Sequence, residues 1–411
     1  MNLTSGIIIA RSLGPNGKGS MAILLSSVVI LSAICNLGLP NSAIYHVKKK
    51  LLSAGQAIFT CSFIYVLGSI IVGTVFYAFR EQFSLLLFKQ NQLPGFFYVF
   101  ILANIPLELF CQFCNTFALG MGQSKFYSYL ISIKSTLNLA ATILVLTIYG
   151  YGINSLLFIT LALNSLHALV HIIHLSNTYS KFDFRLSQTS LKQLLSFGIR
   201  PYPGALSALL FKRTDNFVIA AYLNLDAAGI YSIALSFYNM FLSIPRSFGS
   251  LLMGESAKRS NEHSANLSKA ALHNTLWLMT LLYPLAVLAF AYLIPYVYGS
   301  RFADASIPTI FIGASAVLTG SFGILGIFLI SQGKPGTSSL ITIAGGLISL
   351  VFTLIFTPSL GLAGPAISKL LGAIIFALLL TTIFKRHSSI RRLNLLQSPL
   401  PSWISRLRRT Q

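Results

Sequence analysis

The sequence predicts an all-α polytopic membrane protein, and three observations predict it. Of 411 residues, 55% are hydrophobic and only 9% are charged, the mean hydropathy is +0.75, and apolar runs of spanning length recur from one end to the other. Soluble domains carry roughly 25% charged residues. At about 20 apolar residues per crossing, eleven or twelve helices take up roughly 240 residues and leave no room for a sizeable extramembrane domain.

Taken in order, the apolar runs fall near residues 20–38, 57–78, 96–120, 128–149, 154–176, 195–222, 229–252, 270–297, 307–330, 338–358 and 363–384, each bounded by charge or by Gly, Pro and Asn. Ahead of these eleven spans stands MNLTSGIIIA, which ends at Arg11 and lacks the charged start and cleavage site of a signal peptide. It reads as the end of a helix that begins upstream of Met1. Counting it gives twelve helices, divided as a first lobe over 1–190 with a truncated helix 1, a second lobe over 191–384 and a basic tail over 385–411.

Charge then assigns the connections to sides, because short cytoplasmic loops retain Lys and Arg. Alternate connections and the tail hold eighteen cations, among them Lys48, Lys49, Lys50, Lys125, Lys192, Lys334, Lys385 and Arg391. The remaining connections hold five, Arg11, Lys18, Arg80, Lys89 and Arg301. The first set and the C-terminus are expected in the cytoplasm. Most of the net charge of +21 is therefore topology, and nucleic acid is not an expected partner. Cys35, Cys61, Cys111 and Cys114 all sit in apolar stretches and imply no disulfide framework.

The chain also repeats itself at an offset near 210. Leu13, Gly17, Ser20 and Ala22 recur as Leu225, Gly229, Ser232 and Ala234, and GQSKFYSYLISI from Gly122 recurs as SQGKPGTSSLITI from Ser331. An even number of spans separates the copies, so the repeat is parallel, as in transporters built from two related bundles.

The segment ARSLGPNGKGSMAILLSSVVILSAICNLGLPNSAIYH (Ala10 to His46) resembles the opening signature of the Wzx-type polysaccharide and O-antigen flippases of the multidrug/oligosaccharidyl-lipid/polysaccharide superfamily. LLSFGIRPYPGALSALLFKRTDNFVIAAYLNLDAAGIYSIALSF (Leu194 to Phe237) is similar to that family's seventh and eighth helices. PYVYGSRFADAS from Pro295 and PSLGLAGPAIS from Pro358 extend the likeness over nearly the whole chain. The resemblance implies a twelve-helix fold in two six-helix lobes. It also implies movement of a polyprenyl-pyrophosphate-linked oligosaccharide to the outer leaflet of a bacterial or archaeal plasma membrane. Membrane lipids and the polysaccharide polymerase and chain-length machinery are the implied partners, with no cofactor.

Six cations fall inside spans: Lys134, Arg200, Lys212, Arg213, Arg246 and Lys369. At about 2.5–3.5 kcal/mol each at a helix centre they cannot all face lipid. Lys134, Arg200 and Lys369 lie near predicted ends, where their stems can reach the headgroups. Lys212 and Arg213 lie deep in span seven and Arg246 in span eight. With Lys369 they make up a candidate cationic surface for a diphosphate, while Lys212 and Asp215, spaced i, i+3, could instead form a structural ion pair. Glu108 and Asp215 are the candidate ion-coupling carboxylates. Pro201, Pro203 and Gly204 break span seven and mark a candidate hinge. His167, His171 and His174 share one helix face as a possible relay, but they lack a third ligand type, so no metal site is expected. No catalytic set is present, which argues against a polymerase or ligase. The excess of cations argues against a drug or organic-cation antiporter.

Overall fold

The computed structural model describes residues 3–90, 93–179, 187–200, 202–256 and 261–388, and among these the regular elements are all helical. The first half runs α1 (Leu3–Asn36), α2 (Leu39–Lys48), α3 (Ala54–Ala78), α4 (Arg80–Phe88), α5 (Gly95–Gly120), α6 (Ser124–Ile143) with a π turn at Leu144–Ile148, and α7 (Ile153–Thr178). The second half runs α8 (Gln188–Gly198), α9 (Tyr202–Tyr222), α10 (Leu225–Phe241), α11 (Ser243–Ser256), α12 (Asn261–Val297), α13 (Ser306–Ser331), α14 (Pro335–Leu360) and α15 (Ala363–His387). Ten helical stretches among the described residues are long and apolar enough to cross a membrane. They expose large apolar side chains in rows, such as Leu281, Leu285 and Leu288 on α12. A water-facing surface does not tolerate such rows.

Contacts within the chain define two compact units. One comprises Met1–Ser232 and Val297–Phe302, the other Ile233–Tyr296 and Ala303–Gln411. In the first unit, α1 is two helices joined at Gly14, whose φ of 66° and ψ of −173° leave the helical region. The Nζ of Lys18 lies 3.2 Å from the carbonyl of Gly6. Twelve residues of straight helix would put about 18 Å between those two positions, so the chain folds back at Gly14. Residues 3–13 are thus a short arm laid against the following span, and Pro15 starts that span with its fixed φ.

Two predicted spans are interrupted. Span seven, expected as one run over 195–222, is instead the amphipathic α8 followed by α9. Proline at 201 and 203 makes a continuous ladder impossible there, and Pro201 itself lies outside the described residues. Span eight, expected over 229–252, lies in one apolar stretch, Leu225–Gly249, with a one-residue turn at Leu242 where α10 gives way to α11, whose first turn holds Pro245. The Lys181, Arg185, Lys258 and Arg259 loops and the tail from residue 389 onward also lie outside the described residues.

Hydrogen bonding brings out the internal repeat. At the end of α5 the amides of Met121, Gly122 and Gln123 bond to the carbonyls of Phe117, Leu119 and Ala118. At the end of α13 those of Gln332, Gly333 and Lys334 bond to Phe328, Ile330 and Leu329. Every position matches at an offset of 211. Gly122 and Gly333 hold the same left-handed cap, with φ of 85° and 75°, as helix C-termini often require. The sequence aligned Gln123 with Gln332, and the structure shifts that register by two. A second signature is a backbone crossing between α1 and α10. A Cβ on Gly19 would sit 1.9 Å from the oxygen of Leu225, and one on Gly229 would sit 2.0 Å from the oxygen of Pro15. Each residue is 210 positions from its counterpart, so the contact is reciprocal.

Candidate functional site

The first unit carries a polar seam through its centre. On α5, Asn104, Glu108, Gln112 and Asn115 recur at helical spacing along one stripe, and on α7 Asn164, His167, His171 and His174 do the same. Because α5 packs on α7 and α6 packs on both, the stripes meet. Asn164 Nδ2 donates to Asn104 Oδ1 at 2.8 Å. His171 Nε2 and Asn115 Oδ1 are 3.1 Å apart, and His174 Nε2 and Gln123 Oε1 are 3.0 Å apart. Gln112 Nε2 donates to Glu108 Oε1 at 2.8 Å.

Lys134 closes the seam from α6. Its Nζ lies 3.0 Å from Nδ1 of His167, which is buried. An ammonium has only protons to offer, so Nδ1 accepts and Nε2 carries the ring proton, buried and without a hydrogen-bond partner. Lys134 was expected to reach outward to the headgroups; it is turned inward instead. The three histidines share a face, as predicted, but each has a different partner. Among the described residues no group of three His, Cys, Asp or Glu side chains is placed to hold a metal ion.

The basic cluster of span seven lies on α9, which packs against α1. Lys212 and Arg213 are half-buried and Asp215 is buried. Asp215 Oδ2 accepts from the hydroxyl of Tyr231 at 3.2 Å, and the neighbouring Asn216 donates to Ser26 Oγ at 3.3 Å. Arg213 interacts electrostatically with Glu108, which is half-buried. The structure therefore places Glu108 within electrostatic range of Arg213, two residues the sequence placed in different roles. In the hinge segment Pro203 is exposed and Gly204 buried, and the hydroxyl of Tyr202 donates to the carbonyl of Ala33.

The second unit holds the other two candidates. Arg246 is exposed one turn into α11. Lys369 on α15 is 9% exposed, with Nζ 5.5 Å from the ring centre of Tyr238, a cation–π geometry. Sequence reasoning missed Asn104, Gln112, Asn115 and Asn164. Their signal was present, since four amides in two apolar spans recur at helical spacing, but it was outweighed by the charged residues nearby.

A family model described as polysaccharide biosynthesis protein matches residues 8–307. No curated protein matches the sequence, whereas solved structures do. An inward-facing multidrug resistance MATE family transporter of the MOP superfamily aligns at 17% identity over 94% of this chain and 94% of that one, with a TM-score of 0.72. The lipid II flippase MurJ in its inward closed conformation aligns at 15% identity over 93% of this chain and 84% of that one, with a TM-score of 0.73. A MOP superfamily transporter from Pyrococcus furiosus, described as having a binding pocket of reversed polarity, aligns at 18% identity over 94% and 92%, with a TM-score of 0.65. At these identities the likeness is one of fold.

Proposed function

The chain is a multi-pass membrane protein that belongs to the polysaccharide biosynthesis protein family, and from that premise we propose that it moves a polyprenyl-diphosphate-linked oligosaccharide across a prokaryotic plasma membrane. What supports the anionic cargo is the surplus of cations at depth. Lys212, Arg213, Arg246 and Lys369 stand against Glu108 and Asp215, and both carboxylates accept hydrogen bonds from protein donors. Guanidinium forks match diphosphate oxygens. In this reading Glu108 and Asp215 carry ion coupling, and the chain break between α8 and α9 at Pro203 and Gly204 is the hinge. The loop at Lys48–Lys50 and the basic tail face the cytoplasm. An alkaline phosphatase fusion near Arg391 is expected to be inactive, and activity there would invert the orientation.

Export of surface polysaccharide tests the cargo, measured in a strain lacking its own flippase and normalised to membrane-inserted protein. The Arg213→Gln, Arg246→Gln double variant is expected to lose most export at normal protein level. Full export would remove Arg213 and Arg246 from the mechanism. A drug or organic-cation antiporter is the second reading, favoured by the MATE-type fold. It predicts the opposite pattern, in which ethidium efflux depends on Glu108 and Asp215 and survives loss of the two arginines.

A further inference from the structure

Outside the seam and the basic cluster, the first unit has a groove between α2 and the end of α8. It has a volume of about 570 Å³ and is lined by Asn41, Ile44, Tyr45, Lys48, Lys49 and Phe197. Helix α2 buries Leu39, Ser42, Ala43 and His46 and exposes Asn41, Tyr45, Lys48 and Lys49, so its outer face is polar at one end and aromatic in the middle. Tyr45 and Phe197 stack at 4.3 Å with an interplanar angle of 16°, yet remain 41% and 36% exposed. Short amphipathic helices with exposed aromatic and Lys side chains are suited to the membrane surface, with rings at headgroup depth and ammonium groups in water.

The frame is rigid. A Cβ on Gly38 would lie 2.3 Å from the oxygen of Gly198, so the two backbones touch and only glycine fits. Ser42 Oγ donates to the carbonyl of Leu194 at 2.8 Å, and Gln56 Nε2 donates to Ser190 Oγ at 3.0 Å. The charge is of one sign: residues 1–80 and 187–200 contain no Asp or Glu. Among the described residues the Lys48 and Lys49 side chains make no hydrogen bond or ion pair.

We propose that this groove is the first docking site for the diphosphate headgroup of an isoprenoid lipid, held there before it enters the transport path. The inference rests on the cargo assigned above. Two adjacent ammonium groups can share the several oxygens of a diphosphate. Ile44 and the Tyr45–Phe197 stack offer an apolar wall to the first isoprene unit, and Asn41 presents an amide to the linked sugar. A free anion would use only the lysines, and an uncharged prenyl chain only the wall. The groove combines both chemistries, which is why a diphosphate lipid is its expected occupant.

The test is calorimetric binding of farnesyl diphosphate to the full chain in nanodiscs of uncharged lipid. Farnesyl diphosphate is expected to bind at least about tenfold more tightly than inorganic diphosphate or farnesol, a difference of about 1.4 kcal/mol or more. Lys48→Gln with Lys49→Gln should weaken it by about tenfold or more, whereas Lys48→Arg with Lys49→Arg should retain it, which guards against misfolding as the cause. Unchanged affinity in the Gln variant overturns the site. So does equal binding of inorganic diphosphate, or equal competition by phosphatidylglycerol, each of which would make it a general anion patch. If the Gln variant binds normally while the Arg213→Gln, Arg246→Gln variant loses export, the docking site alone falls. If that double variant exports fully, the part of the two arginines in the cargo reading falls with it.

Discussion

In the first half, α5, α6 and α7 are joined along their length by side-chain hydrogen bonds, whereas their counterparts at an offset of 211, α13, α14 and α15, are packed mainly through glycine, aliphatic and aromatic residues, with a Lys334–His387 hydrogen bond of 2.8 Å at their end. Asn104, Glu108, Gln112 and Asn115 correspond to Ser315, Thr319, Gly323 and Gly326, and Lys134 corresponds to Gly345. Asn164, His167 and His171 correspond to Ile375, Leu378 and Thr382. Where Lys134 reaches for His167, the second copy brings backbones together, and a Cβ on Gly372 would lie 2.8 Å from the oxygen of Gly345. Leu325, Phe328, Leu380 and Phe384 belong to one buried apolar cluster that also takes in Ile341 of α14. The same three-helix arrangement therefore forms without the seam. Side-chain hydrogen bonds between membrane helices average only about 0.6 kcal/mol, so stability does not account for this concentration of polarity in one copy. The seam is what the first copy has and the fold does not need.

The largest effect is expected where the fold itself is at stake, at the reciprocal crossing of Gly19 and Gly229. Gly229→Val would drive a side chain into the carbonyl of Pro15, and because the obstacle is backbone it cannot swing aside. Overpacking of this kind costs about 1–3 kcal/mol and occasionally more, and the expected outcome is loss of membrane-inserted protein on immunoblot. Gly336→Ala in α14 is the control, since a Cβ there meets nothing within 4 Å. Normal accumulation of the Gly229 variant would break the reciprocal contact.

That crossing shows where sequence reading stops. Most spans were legible because twenty apolar residues have few other uses, and the break at Arg200 to Gly204 was legible because proline cannot donate. The repeat was visible, but its register slipped by two at Gln332, since the cap depends on a left-handed glycine rather than on the glutamine that looked alike. The interruption at Leu242 was missed because Pro245 sits in a first helical turn, where proline is ordinary. Lys134 was read as a headgroup-seeking side chain because its depth was visible and its partner, 33 residues away on another helix, was not.

Lys134 gives the intermediate effect and the direct test of the seam against its apolar counterpart. Lys134→Met removes the donor to His167 Nδ1 and leaves a buried acceptor unmatched, which costs about 1–3 kcal/mol. A fall in melting temperature in detergent is expected, whereas Arg200→Ala, at an exposed position, should leave it unchanged. Adding His167→Leu, the residue found in the second copy, should recover most of the loss, because an apolar pair strands nothing. If Lys134→Met melts like the wild type, the ammonium makes no bond worth having and the outward reading returns.

The smallest effect separates stability from function at the Asn104–Asn164 bridge. Asn164→Ile removes the donor to Asn104 Oδ1, while Asn104 keeps its own bond from Nδ2 to the carbonyl of Phe100 at 2.8 Å, so only one acceptor is stranded. The loss should be small, near the average of about 0.6 kcal/mol for membrane helices. Asn104→Ser with Asn164→Ile installs both residues of the second copy and should melt close to the wild type, with the two single effects failing to add. Export then decides what the bridge is for. A double variant that is stable but exports poorly ties the seam to transport, since the fold has been given the solution that α13 and α15 already use. A double variant that exports fully would make the bridge an inheritance without a task and leave Glu108 and the histidines beside Lys134 as the seam's functional candidates.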